Sequence, residues 1–155
     1  MKVKWTVVFS LIIILASATM ILTGIHRDKN LINCRANFIV SNYDLEASVV
    51  ATVRTGKAHG VIFYDGPLFE RGVIKGYLSR KVLFSYEREN EMIHLRGNNI
   101  TRFRKDDVIQ ADAERVLPDF FVKAGAEIFF DIARERNGYF FIKDNFPMFF
   151  CRNIG

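Results

Sequence analysis

Two cysteines are the side chains of this sequence whose chemistry is easiest to predict. Cys34 and Cys151 stand near the two ends of the region that follows an apolar N-terminal run. An even pair of cysteines in an exported protein predicts a disulfide, which here would tie the first strand of a domain to its last. Two isolated thiols without clustered histidines are a poor metal site, so we expect neither a metal nor a cofactor.

Two histidines are candidate pH sensors. The ordinary histidine pKa of about 6.5 lies in a range that burial or a neighbouring charge moves easily. His59 shares a predicted strand face with Val61 and Phe63, which indicates partial burial. His94 lies on the polar side of its predicted strand, where exposure to solvent is the simpler interpretation.

No catalytic signature is recognisable in the sequence. Ser48, Ser79 and Ser85 lie in predicted strands, outside the G-x-S-x-G turn of a nucleophile elbow. The acidic residues lack the spacing of a glycosidase pair or a calcium loop, and no Gly-rich loop opens a helix. The net charge of +5 is too scattered to indicate nucleic acid binding. We therefore expect a protein that is not an enzyme and does not bind nucleic acid directly.

The N-terminal segment predicts the compartment. Residues 5–25 are uncharged and long enough to cross a hydrocarbon layer of about 30 Å as a helix. Lys2 and Lys4 precede this run, which predicts a cytoplasmic start at residues 1–4. Residues 26–33 would then form a connector, and residues 34–155 a β-rich domain in the periplasm of a bacterium.

The same segment can be interpreted as a secretory signal peptide. Ala16-Ser17-Ala18 fits a cleavage site of small residues. A cut there would leave Met20, Ile21 and Leu22 at a hydrophobic new N-terminus, so we favour an uncleaved, single-pass anchor in the inner membrane.

Alternating apolar and polar residues predict a mainly β domain, an antiparallel meander with one short helix. Asp65-Gly66-Pro67 is expected to break the third strand. Asp106 or Asp107 would cap a helix that runs to about Leu117. Residues 126–133 fit both a strand and a helical stripe, and the following Asn137-Gly138 favours a strand in a hairpin. The predicted strands are 34–41, 47–54, 59–64, 72–87, 92–100, 126–133, 139–142 and 148–151.

The whole chain has 15 Phe residues, and they are concentrated in its C-terminal third. Strand alternation can bury only one residue of each adjacent pair against a single core. A core with two sides explains the pattern simply. The alternatives are an apolar cavity for a lipid-like ligand and a hydrophobic seam for a partner. The candidate residues are Phe129, Phe130, Phe140, Phe141, Phe149 and Phe150.

Several of these features together resemble a known family. They are the basic start, the single anchor, the segment 33–38 (Asn-Cys-Arg-Ala-Asn-Phe), Leu117-Pro118-Asp119, and the tail 146–151 (Phe-Pro-Met-Phe-Phe-Cys). This combination resembles the FidL-like membrane proteins of enterobacteria, which look like ToxS-type accessory proteins. Size and anchor are similar to the PsaF and MyfF accessory group of pH-regulated fimbrial operons.

The resemblance implies a function and refines the fold. It implies a lipocalin-like partial barrel, shared between two chains, that can admit a bile-salt-like or lipid-like ligand. It also implies that the chain binds the periplasmic domain of a membrane-spanning winged-helix transcription regulator and stabilises or activates it, with virulence or fimbrial genes as targets and pH or bile as signals. The rival interpretations are a periplasmic sensor of a small apolar ligand and an exported fimbrial or structural subunit.

Overall fold

The computed structural model of the protein describes residues 31–154 and Ile13. The predicted cytoplasmic start, the predicted anchor apart from Ile13, and most of the connector lie outside the described residues. Among the residues that the structure does describe, no helix is long and apolar enough to span a membrane. Ile32–Gly155 form one compact unit. Its strands are β1 Asn33–Asn42, β2 Leu45–Thr55, β3 His59–Glu70, β4 Val73–Glu89, β5 Met92–Arg102, β6 Glu127–Glu135, β7 Gly138–Lys143 and β8 Phe146–Asn153.

The strands form a closed antiparallel barrel in which each strand pairs with the next along the chain and β8 pairs with β1. The predicted meander is therefore confirmed. The partial barrel shared between two chains needs correction, because this chain closes the barrel with its own strands. A strand was favoured for residues 126–133, and all of them except Ala126 lie in β6; the hairpin that follows has Arg136 and Asn137 at its turn.

The predicted break at Asp65-Gly66-Pro67 is wrong, since β3 continues through these residues to Glu70. Gly66 and Pro67 pair with Leu78 and Tyr77 of β4, whereas the β2–β3 pairing is interrupted opposite them without a change of register. A proline is tolerated where no ladder bond is required of it. A Cβ at position 66 would stand 1.8 Å from the Ser48 carbonyl oxygen, so the two backbones approach too closely for any residue but glycine.

The predicted helix begins later than expected. Helix α1 spans Gln110–Val116, and its N-cap, Ile109, makes no side-chain capping bond. Asp106 and Asp107 do not cap it because their carboxylates accept hydrogen bonds from the backbone of β4 instead. A second helical turn, α2, follows at Asp119–Val122 and was not predicted.

The core consists of the inward-facing residue of each alternating pair, together with residues of the segment that joins β5 to β6. Phe120 in α2 meets Phe84 of β4 with ring centroids 6.1 Å apart. The Tyr64 hydroxyl on β3 donates a hydrogen bond to the carbonyl oxygen of Phe121 at 2.7 Å. All the described strands, the core and the disulfide described below lie within Ile32–Gly155, so this unit has the separate core that an independently folding domain requires.

Candidate functional site

The junction of β1 and β8 is the least complete part of the barrel. Cys34–Ala36 pair with Cys151–Asn153, three residues on each strand, whereas β1 and β2 pair over ten. Beyond Ala36 the described parts of β1 and β8 are no longer paired. Alternate residues of an antiparallel strand direct their N–H and C=O groups to opposite neighbours, so about half of the backbone groups of 37–42 and 146–150 face this gap. Two free strand edges therefore stand opposite one another.

The gap between these edges opens into an apolar cavity of about 230 Å³. We call it the β1–β8 cleft. Its rim carries exposed apolar side chains, with Ile39 64% and Met148 49% exposed, and the Lys143 side chain is the cation on its lining. The deeper wall is formed by Phe38 and Val40 of β1, Phe149 of β8, Ile128 and Phe130 of β6, and Pro118 and Phe121 of the β5–β6 connection.

Aromatic stacking shapes the inner wall of the cleft. The Phe149 ring stacks on Phe38 and on Phe141, with centroids 5.0 Å and 4.7 Å away. Phe130 meets both Phe141 and Phe149 edge to face. Such pairs add roughly 0.5–1.5 kcal/mol each beyond the apolar area they bury. The inner wall of the cleft is therefore a set of tightly packed aromatic rings, and it lies beneath the unpaired edges of β1 and β8.

Strand alternation divides the six candidate phenylalanines into two groups. Phe130, Phe141 and Phe149 point inward, and two of them, Phe130 and Phe149, line the cleft. Phe140 and Phe150 form a half-buried outer pair with ring centroids 4.8 Å apart. Phe129 also faces outward, on the far side of β6.

The comparisons with known proteins agree with a domain of these limits. The family model of the YqeJ C-terminal domain matches residues 31–151. The chain belongs to the YqeJ C-terminal domain family. No curated protein and no solved structure gives a significant match. The narrower resemblance to FidL-like and ToxS-type proteins stays a prediction.

The match to the YqeJ C-terminal domain model ends at residue 151, which is one of the two cysteines of this chain. The predicted disulfide is confirmed: Cys34 and Cys151 are bonded, both are fully buried, and 117 positions separate them in the chain. The bond joins β1 to β8 beside their three-residue ladder. It therefore holds the barrel closed next to the point where the pairing of the two strands ends.

The two histidines lie on the outer surface of this YqeJ-type barrel, His59 on β3 and His94 on β5. His59 is exposed, because Val61 and Phe63 share its face and that face points away from the core. His94 stacks on Phe129 with ring centroids 4.1 Å apart, and its Nε2 lies 3.1 Å from a carboxylate oxygen of Glu127. Neither histidine lines the cleft, and their role in sensing pH stays a prediction.

A buried charge cluster that was not predicted supports the connection between β5 and β6. Arg80 donates to Asp106 through Nε at 2.8 Å, and both side chains are fully buried. Asp106 also accepts from Arg102 at 2.8 Å and from the backbone N–H of Ser79 at 3.0 Å. Burial alone would raise the pKa of the Asp106 carboxyl, but these hydrogen bonds and the Arg80 charge hold it below its usual value.

The sequence did contain a signal for this cluster. Arg80 occupies an even position in a strand whose neighbouring even positions, Leu78 and Val82, are apolar and buried. A charged residue at such a position predicts a buried partner, and the Asp106-Asp107 pair downstream supplies it. Burial also raises the pKa of the neighbouring Tyr64 hydroxyl, because the effect of burial is larger than the opposing effect of the Arg80 charge. Among the described residues, no group of three or more His, Cys, Asp or Glu could hold a metal ion.

Proposed function

We propose that this chain is a non-enzymatic accessory protein, anchored in the bacterial inner membrane with its barrel in the periplasm. It binds the periplasmic domain of a membrane-spanning winged-helix transcription regulator and stabilises or activates that regulator. The resemblance to FidL-like and ToxS-type proteins supplies the class of partner. The observation that carries the proposal is the β1–β8 cleft with its two free strand edges.

The chemistry of the cleft suits an extended segment of another protein. Unpaired strand edges offer regularly spaced N–H and C=O groups, which pair readily with an added strand. Apolar side chains from such a strand can enter the cavity between Phe149 and Phe121. Ile39 and Met148 on the rim would be covered by the same segment. Backbone bonds would then supply affinity, and the pocket would supply specificity.

The first experiment uses site-specific photo-crosslinking in intact cells. A photoreactive residue replaces Ile39 or Met148 at the rim, and a control replaces Val50, an exposed apolar residue on the outer face of β2. Mass spectrometry of the membrane fraction should identify a single-span protein with a cytoplasmic DNA-binding domain from the rim positions only. Equal labelling from Val50, or no protein adduct from either rim position, would refute partner binding at the cleft.

A second candidate function is binding of a small apolar ligand in the same cleft, which its enclosed aromatic wall favours. A volume of about 230 Å³ lies below the roughly 300–1,000 Å³ of pockets for drug-sized ligands. The cleft is thus sized for a single acyl chain rather than a bile-salt-like steroid. Acyl-chain ligands should raise the melting temperature of the wild type more than that of Phe149→Ala; equal shifts would place the ligand elsewhere.

A further inference from the structure

We propose that the outer face of the barrel around the start of β1 is a contact surface for anionic phospholipid headgroups. This inference rests on the proposed membrane anchoring of the chain. The surface is defined by Arg35 on β1, Arg54 on β2 and Arg152 on β8, and we call it the arginine face. All three side chains are exposed, and none makes an ion pair or hydrogen bond with another described residue.

Strand register brings the three arginines together. Arg35 pairs directly with Arg152, one of only three residue pairs in the described ladder that closes the barrel. Arg54 pairs with Asn33, which places it diagonally beside Arg35 on the same face. Directly opposed side chains lie about 5 Å apart at Cβ, and diagonal ones about 7–8 Å apart. Like charges at these separations repel and destabilise the strand pair, so the cluster weakens the closure in which it lies.

No acidic side chain neutralises this cluster from the adjacent strands. The residues that follow Arg54 add Lys57 and the exposed His59 at the same end. Among the described residues, the nearest carboxylate along the sheet is that of Glu135, which pairs with Gly138; Gly138 in turn pairs with Arg152. Two strand spacings therefore separate Glu135 from Arg152, about 10 Å. The surface is complementary to a layer of negative charge.

The place where the chain enters the barrel, at Ile32, favours a membrane surface as the negatively charged partner. Ile32 is buried and tied to the end of β2, since its N–H donates to the Thr55 hydroxyl at 2.7 Å. Six residues separate it from Ile25, the last residue of the predicted anchor, and the seven Cα-to-Cα steps between the two span about 25 Å at most when extended. Anchoring would thus hold this end of the barrel near the headgroups at a high effective concentration, where weak electrostatic attraction suffices.

The test measures binding of the self-contained unit, residues 31–155 with the disulfide intact, to lipid vesicles by co-sedimentation. We expect binding to vesicles that contain phosphatidylglycerol, weak binding to pure phosphatidylcholine, and loss of binding as salt is raised. The double variant Arg35→Gln/Arg152→Gln should weaken partitioning about fivefold for each arginine, roughly 25-fold in all. Near-ultraviolet circular dichroism checks that the barrel is retained.

The matched control is Lys81→Gln/Arg104→Gln, which removes the same charge from elsewhere on the barrel. An equal loss in the control variant, or equal binding to both lipid compositions, would overturn the proposal. So would a double variant that keeps vesicle binding but loses the partner crosslink, because the arginines would then contact an acidic protein segment. Failure of vesicle binding with an intact crosslink at the β1–β8 cleft would refute the lipid contact and leave the proposed function standing.

Discussion

Removal of the Cys34–Cys151 bond tests how the barrel is held closed. The bond closes a loop across 117 positions, nearly the whole length of the barrel unit. In the chain-entropy account the stabilisation rises with the logarithm of loop length, which gives about 4.9 kcal/mol for this loop at 25 °C. The ladder that would hold β1 to β8 without it has only three residue pairs. We therefore expect reduction to remove a large part of the total stability.

The assay is urea unfolding of residues 31–155 with the disulfide oxidised and with both thiols kept reduced by a dithiol. Reduced wild type is the better comparison than Cys→Ser, because a serine would also bury an unpaired hydroxyl in a fully apolar site. The free energy of unfolding should fall by about 4–5 kcal/mol. A fall below about 1 kcal/mol would refute the reasoning, since the strands alone would then suffice to close the barrel.

Hydrogen exchange locates the effect along the barrel. Local opening occurs first where few backbone bonds hold an element. In the reduced protein, the amides of Arg35 and Ile154, which face across the β1–β8 junction, should lose protection before those of the β3–β4 pair, which is hydrogen-bonded along almost its full length. Uniform loss of protection around the barrel would show that the disulfide acts on the whole fold and not at the β1–β8 junction.

Three further predictions follow from single contacts. Asp106→Asn should cost about 3–5 kcal/mol in urea unfolding, because it leaves its arginine partner charged and buried; the wild-type contribution should be complete above the ordinary aspartate pKa of about 3.9 and be lost as the pH falls through the lower folded pKa. Arg152→Glu places opposite charge across from Arg35 and should raise the free energy of unfolding by about 0.2–1 kcal/mol at low salt, whereas no gain would contradict the repulsion inferred at the junction. Phe130→Ala should cost about 3–5 kcal/mol and its outward neighbour Phe129→Ala less than about 1 kcal/mol, so equal losses would contradict the assigned strand faces.

The sequence was sufficient for those features that depend on short-range patterns. Alternation, β-rich runs and turn residues together identified strands in all eight places, and the cysteine pair predicted the bond between the first strand and the last. Alternation limited an adjacent pair such as Phe129 and Phe130 to one side chain in a single core, and the barrel has a single core and not the core with two sides that was the simplest interpretation. Each of these inferences needs only neighbouring residues or the predicted compartment, and both come from the sequence without knowledge of the fold.

The features that sequence reasoning missed depend on contacts between distant segments. Gly66 and Pro67 were predicted to break the strand. The strand tolerates them because the β2–β3 pairing is interrupted opposite them, which the sequence does not show. Asp106 read as a helix cap because its true partner, Arg80, lies 26 residues earlier in the chain. The β1–β8 cleft could not be predicted at all, since alternation identifies the faces of a strand but not how far its edges pair.

The β1–β8 junction combines three features with one physical consequence. If β1 and β8 paired along their whole length, backbone hydrogen bonds would close the barrel. Any added strand would then have to displace those bonds. Here three residue pairs are present, one of them opposes Arg35 to Arg152, and the Cys34–Cys151 bond holds the two strands together beside them. Covalent closure lets the pairing end at Ala36 without the barrel falling open. The partner segment that we propose would then break no existing strand pair when it adds to the free edges.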